Sequence, residues 1–144
     1  MGKTMILVSA CLLGENCKYS GGNNYNEEVI RYLKDKEYLA VCPETAGGLK
    51  SPRPPAEIQN GLVVDKEGTD VTEAFLKGAE IVLNLANKHN AELCVLKANS
   101  PSCGCGMIYD GTFTGKRIPG NGKTAALLLE NGFAVRTEEG LKNH

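Results

Sequence analysis

The sequence predicts an α/β protein, a single-domain three-layer Rossmann-like fold over residues 1–144 with a mostly parallel sheet and one short hairpin. Three observations predict it. Short apolar runs of strand length, at residues 4–10, 38–41 and 93–96, alternate with segments of helical period. Each run ends in a loop of turn-forming residues that carries a cysteine: Cys11, Cys42 and Cys103. The chain, at 144 residues and 15.4 kDa, is also long enough to bury an ordinary core without disulfides.

Residues 4–10, with Ile6, Leu7 and Val8, are too few for a helix and read as a buried strand. The loop at 11–24 is rich in Gly and Asn, which accept left-handed backbone and let main chain approach a ligand. Residues 27–36 place Val29, Ile30, Tyr32 and Leu33 at helical spacing behind Asn26 as N-cap, with Glu27 and Glu28 where the helix dipole favours them. The second strand, 38–41, stops at Cys42-Pro43-Glu44. Residues 45–60 follow neither period, and Pro52, Pro54 and Pro55 hold them in an extended path. Long loops of this kind in compact domains are usually functional, so Arg53 and Glu57 are candidates for substrate contact. The plain alternative is that Arg53 only ties the loop down through backbone hydrogen bonds.

Residues 62–64 read as an edge strand or hairpin arm. Asp70 caps the longest helix, on which Val71, Phe75, Ala79, Val82 and Ala86 recur every three or four residues. His89 falls near its C-terminus, where an imidazole satisfies terminal carbonyls. The third strand, 93–96, leads into the loop Lys97-Ala98-Asn99-Ser100-Pro101-Ser102-Cys103-Gly104-Cys105-Gly106. Residues 107–117 hold an Asp110-Gly111 hairpin signal between β-prone flanks. Asn121 caps a helix through Leu129, Asn131-Gly132 closes it, and residues 133–135 form a last strand. Gly122-Lys123-Thr124 is not a phosphate-binding P-loop, because the position of its first glycine holds Arg117. With Lys116, Arg117 and Lys123 it offers at most a weak anion site at a helix N-terminus.

A formal net charge of −1 and a pI near 6.1 leave no global footprint for nucleic acid or an anionic membrane. A small-molecule substrate is expected, and a tRNA substrate is not supported by the charge. No apolar stretch approaches the roughly 18 to 20 residues of a membrane span, and residues 1–6 lack a secretory core or a myristoylation site, so a cytoplasmic protein is expected. In that compartment six cysteines point to metal binding or catalysis rather than to disulfides.

The cysteines divide by context. Cys94 lies inside a strand pattern and reads as a buried apolar residue, while Cys17 and Cys105 are intermediate and left without a role. Cys11, Cys42 and Cys103 lie just past strand ends, and in open parallel sheets the crevice beyond those ends is where ligands bind. None of the spacings is a Cys-x-x-Cys zinc knuckle. A metal-free nucleophile would need an imidazole, and neither His89 nor His144 is well placed. An iron–sulfur cluster suits thiolates best, and with three ligands one iron stays open to substrate.

These residues resemble the thiouracil desulfidase family, long a bacterial domain of unknown function. The resemblance is carried by Ser9-Ala10-Cys11-Leu12-Leu13-Gly14, Cys17-Lys18-Tyr19-Ser20-Gly21, Cys42-Pro43-Glu44, the run from Gly47 to Glu57, and the run from Lys97 to Gly106 followed by Ile108-Tyr109-Asp110-Gly111. It implies a 4Fe-4S cluster held by Cys11, Cys42 and Cys103 with the fourth iron free, and removal of sulfur from thiouracils or, in related proteins, from thiolated uridine in tRNA. It also implies Glu44 as acid/base and Ser100 as a polar catalytic residue. Arg53, from its loop, and Ser102 are expected at the substrate. Cys105 is an additional thiol and Ser20 stands where Asp is more typical.

The implied chemistry is non-redox. An open iron polarises the thiocarbonyl, Glu44 activates water, Ser100 and loop amides stabilise the developing anion, and uracil and hydrosulfide leave. The alternative is a non-catalytic metal-binding or redox-sensing protein that uses the same thiols.

Overall fold

The computed structural model describes residues 5–141; Thr4, read above as part of the first strand, and His144 lie outside them. Strands β1 (Met5–Ser9), β2 (Glu37–Val41), β5 (Leu93–Leu96) and β8 (Val135–Thr137) form a four-stranded sheet in the order β2-β1-β5-β8, with every pairing parallel. Helices cover both faces. The side-chain period of two sorts the strands: Ile6, Val8, Leu93 and Val95 pack with Val29 and Leu33 of α1 (Glu27–Leu33), and Leu141 closes that layer. Leu7, Cys94 and Leu96 face the other way, onto Val82 and Ala86 of α3 (Thr72–Lys88) and Ala125 and Leu128 of α4 (Lys123–Glu130). Both faces are buried, so the central strands are apolar throughout rather than alternating. No helix among the described residues is long and apolar enough to cross a membrane.

The order of the strands sets the place of the site. The chain winds from β1 outward to β2, then returns to lay β5 on the other side of β1. A reversal of this kind leaves a crevice beyond the carboxyl ends of the two central strands.

Several expected boundaries shift. Asn26 caps α1 by accepting from the Val29 N–H, as expected, but the helix ends at Leu33. Asp70 accepts from the Thr72 N–H at 2.9 Å, one position ahead of the cap. The His89 backbone N–H donates to Leu85 and its side chain is exposed, so the C-terminus of α3 is closed by main chain and not by an imidazole. Asn121 is not the cap of α4: Gly122 is, and the Asn121 amide oxygen accepts from Gly106 N–H instead. The last strand begins two residues later than expected.

The largest correction concerns residues 45–60. Helix α2 (Pro43–Ala46) begins directly after Cys42, and β3 (Ala56–Gln59) pairs antiparallel with β4 (Leu62–Asp65). The turn between them is Asn60-Gly61, with φ of 50° and 82°, the two positive values that a tight hairpin needs. The second hairpin, β6 (Met107–Tyr109) with β7 (Arg117–Pro119), is where Asp110-Gly111 predicts one, but its loop is wide rather than tight.

Helix α2 lies against α3, and the crossing is close because Gly47 and Gly78 face each other's backbone. A Cβ on Gly78 would run into the Pro43 carbonyl, and one on Gly47 into the Ala74 carbonyl. Since α2 carries Glu44 and follows Cys42, this contact positions part of the crevice. Gly78→Ala should therefore destabilise the fold by about 1–3 kcal/mol through overpacking, measured by urea unfolding. Leu76→Ala on the same helix, where the side chain is 47% exposed, should change stability by less than about 0.5 kcal/mol. Equal stability of the two variants would contradict the close crossing.

Candidate functional site

The loops after β1, β2 and β5 meet in one cavity of about 420 Å³, within the size range of small-ligand pockets. Cys11, Cys42 and Cys103 all line it, as the strand-end argument expects. Cys11 sits in the short 3-10 turn Ala10–Leu13 at the end of β1, Cys42 at the cap of α2, and Cys103 in the loop that leaves β5. Cys17 lines the same cavity, a placement the sequence left open. Cys94 is buried in the sheet, and Cys105 packs against the α3–α4 layer with its thiol directed at the Val135 carbonyl.

The Cys103 loop is held from beneath by α4. The N–H groups of Lys123, Thr124 and Ala125 donate to the carbonyls of Pro101 and Ser102, so the helix N-terminus is filled by protein and is not an open anion site. Lys123 itself donates to the Gly61 carbonyl. The approach requires glycine at the cap: a Cβ on Gly122 would lie 2.6 Å from the Ser102 oxygen and 2.7 Å from that of Ser100. On the other side of the loop, Glu138 accepts from Ala98 N–H and pairs with Lys97, whose side chain also borders the cavity.

Glu44 is fixed from two directions. Its Oε1 accepts from Arg53 Nη2 at 2.8 Å and Nε at 3.2 Å, and its Oε2 accepts from Ser102 Oγ at 2.8 Å. Arg53 is fully occupied, because Nη1 donates to the Lys50 carbonyl and Ser51 Oγ and Nη2 also donates to the Cys17 carbonyl. All five guanidinium N–H groups thus have protein partners. Arg53 lines the cavity and ties Glu44 to the Cys17 loop and to its own loop. Ser102 is 1% exposed and its single proton lies toward Glu44, so it too faces the carboxylate rather than open space.

Ser100 Oγ accepts from the N–H groups of Ser102 and Cys103 and lies 2.9 Å from Ser102 Oγ. With Ser102 donating to Glu44, the Ser100 hydroxyl must donate to Ser102. The result is a directed line, Ser100 to Ser102 to Glu44. Glu57 lines the cavity, and its Oε1 accepts from Gly111 and Phe113 N–H and pins the β6–β7 loop over it. Phe113 lines the cavity with a φ of 60°, a conformation bulky side chains rarely take and which these bonds hold in place.

The thiols differ in their readiness to ionise. The hydrogen bond from Cys17 is the largest influence on Cys11, holding it below the ordinary thiol range against burial. The same thiol, with Thr45, brings Cys42 down to about 6. Cys17 is pushed up by those two bonds and by burial. Burial pushes Cys103 up to about 12, opposed first by the hydrogen bond from Ser9. Among the described residues no group of three or more His, Cys, Asp or Glu side chains is gathered around a single ion position. Three soft donors from three separate loops suit a multi-iron cluster, which is gripped at separate corners.

Comparisons with known proteins agree with this chemistry. The profile of the 2-thiouracil desulfurase family matches residues 6–140. An uncharacterized protein of Bacillus subtilis (strain 168), YbbK, is 44% identical over 149 residues, covering 96% of this chain and 99% of its own. Among solved structures, a 4Fe-4S-dependent thiouracil desulfidase, TudS, superposes with a TM-score of 0.91 at 44% identity, over 98% of this chain and 95% of its own.

The Arg53 geometry is open to test. Arg53→Lys keeps the charge but not the fork, and should cost about 3 kcal/mol in urea unfolding, because a largely buried pair loses its bidentate partner. A side chain that only contacted substrate would leave stability unchanged.

Proposed function

Because the chain belongs to the 2-thiouracil desulfurase family, we infer that it is an enzyme, a 4Fe-4S-dependent desulfidase that converts thiouracil to uracil and hydrosulfide. The observation that carries the reading for this chain's own residues is the meeting of Cys11, Cys42 and Cys103 with Glu44 around one cavity. We propose those three cysteines as the cluster ligands, within a single domain that works in the cytoplasm, where thiols stay reduced. Each gives up its proton on coordination, which for Cys103 overrides the effect of burial. The cluster, when bound, supplies a Lewis-acidic iron with affinity for a soft thiocarbonyl sulfur.

The protein's own groups do the rest. Arg53 and Ser102 hold the Glu44 carboxylate in place, and Oε2 keeps an accepting position beside the Ser102 bond for a water proton. That water adds its oxygen to the thiocarbonyl carbon as the carbon–sulfur bond breaks, so one water is consumed, hydrosulfide leaves and no electrons are transferred. Having accepted that proton, Glu44 returns it to the ring nitrogen, while Ser100 donating to Ser102 and Ser102 to Glu44 keep the carboxylate oriented. In this reading Ser102 and Arg53 are positioning residues and not substrate contacts, which revises the sequence expectation. The β6–β7 loop, with Phe113, covers the flat ring and limits bulk water.

The test is anaerobic reconstitution with iron and sulfide followed by a desulfuration assay on thiouracil. Glu44→Gln should retain the cluster and lose at least about 100-fold in turnover, the low end of what a general base supplies. Serine at position 11, 42 or 103 should abolish cluster binding, whereas Cys17→Ser should retain it. A cluster-loaded chain with no desulfuration would favour the sensing alternative, and full activity of Glu44→Gln would remove Glu44 from the reaction.

A further inference from the structure

Each of the three thiols assigned to the cluster receives a hydrogen bond from one neutral nitrogen or oxygen side-chain donor, beside the thiol–thiol contacts of Cys17 with Cys11 and Cys42. Ser9 Oγ donates to Cys103 Sγ, Asn24 Nδ2 to Cys11 Sγ and Thr45 Oγ1 to Cys42 Sγ, each at 3.3 Å. Among the described residues no nitrogen or oxygen donor serves the sulfur of Cys17, Cys94 or Cys105. A dedicated donor stabilises sulfur that carries charge, so its presence on three of six cysteines separates sulfurs built to be thiolates from the rest. Ser102 Oγ also lies 3.6 Å from Cys103 Sγ, but its one proton is engaged by Glu44 at 2.8 Å. Ser9 also accepts from Lys97 N–H at 3.0 Å and so joins the ends of β1 and β5.

We propose that Ser9, Asn24 and Thr45 are positioning residues that set the reduction potential of the cluster by hydrogen-bonding its three thiolate ligands, an inference that rests on the ligand assignment above. Charge withdrawn from the sulfurs stabilises the more negative, reduced state and raises the potential, and it leaves the irons more electrophilic. The three bonds are unequal. The Ser9 bond is buried, that of Asn24 partly buried and that of Thr45 exposed. A hydrogen bond in a low-dielectric setting acts more strongly, and water cannot replace it when it is removed.

The experiment is a redox titration of the anaerobically reconstituted chain, followed by its absorption and electron paramagnetic resonance spectra, with iron and sulfide content measured on each sample. Ser9→Ala, Asn24→Leu and Thr45→Val should hold as much cluster as the unmodified chain. Their midpoint potentials should move to more negative values, most for Ser9→Ala and least for Thr45→Val. Ser9→Thr, which keeps the hydroxyl, should restore the unmodified potential. Full cluster content with unmoved potentials in Ser9→Ala and Asn24→Leu overturns the inference alone, and so does loss of the cluster from both, which would make these residues scaffolding. An unmodified chain that takes up no cluster overturns the ligand assignment and this inference with it.

Discussion

The site depends on the carboxylate of Glu44. One side chain on α2 is gripped by Arg53, from the loop that follows α2, and by Ser102, from the loop that follows β5. Arg53 carries the connection on to the Cys17 carbonyl, so four separate stretches of chain meet at one charged group. Bonds to a charged acceptor are stronger than neutral ones, and here they are shielded, with Arg53 and Glu44 side chains only 10% and 16% exposed. A cavity assembled from loops thereby acquires a rigid wall that none of the loops has alone.

That wall needs support from the regular elements, and the support comes from backbone meeting backbone. The Gly47–Gly78 crossing seats α2 on α3, and the N-terminus of α4 receives the carbonyls of Pro101 and Ser102 with Gly122 at the contact. In both places the glycine is required by the space available and not by a turn. The fold thus delivers Cys42 and Cys103 from opposite sides of β1 on supports that side-chain rearrangement cannot easily displace.

The architecture was legible where a single physical signal dominated. The stripe of Phe75, Ala79, Val82 and Ala86 marks α3, and the short apolar runs ending on Cys11, Cys42 and Cys103 mark three parallel strands whose ends converge. Strand β3 is hidden in the sequence, because it is four residues long and follows a proline-rich stretch that masks its period, although Asn60-Gly61 beside it is the turn that betrays it. Asn121 and Gly122 were one position out for a similar reason: either residue type caps a helix, and only the tertiary bond from Gly106 decides. The roles of Arg53, Ser102 and Ser9 were beyond reach. Their partners lie as far as 94 residues away, and no local pattern reports which carboxylate or sulfur a side chain will meet.

The roof of the cavity belongs to different sheets from its floor. The thiols rise from loops of the parallel sheet, whereas Phe113 hangs from the β6–β7 hairpin, which is bolted to the β3–β4 hairpin through Glu57 and the Gln59 contact with Gly111. Chemistry and admission are therefore built as separate modules, joined at a few bonds. A change in the length or shape of either ribbon would recast the rim of the cavity while the thiols keep their places at the ends of the parallel strands.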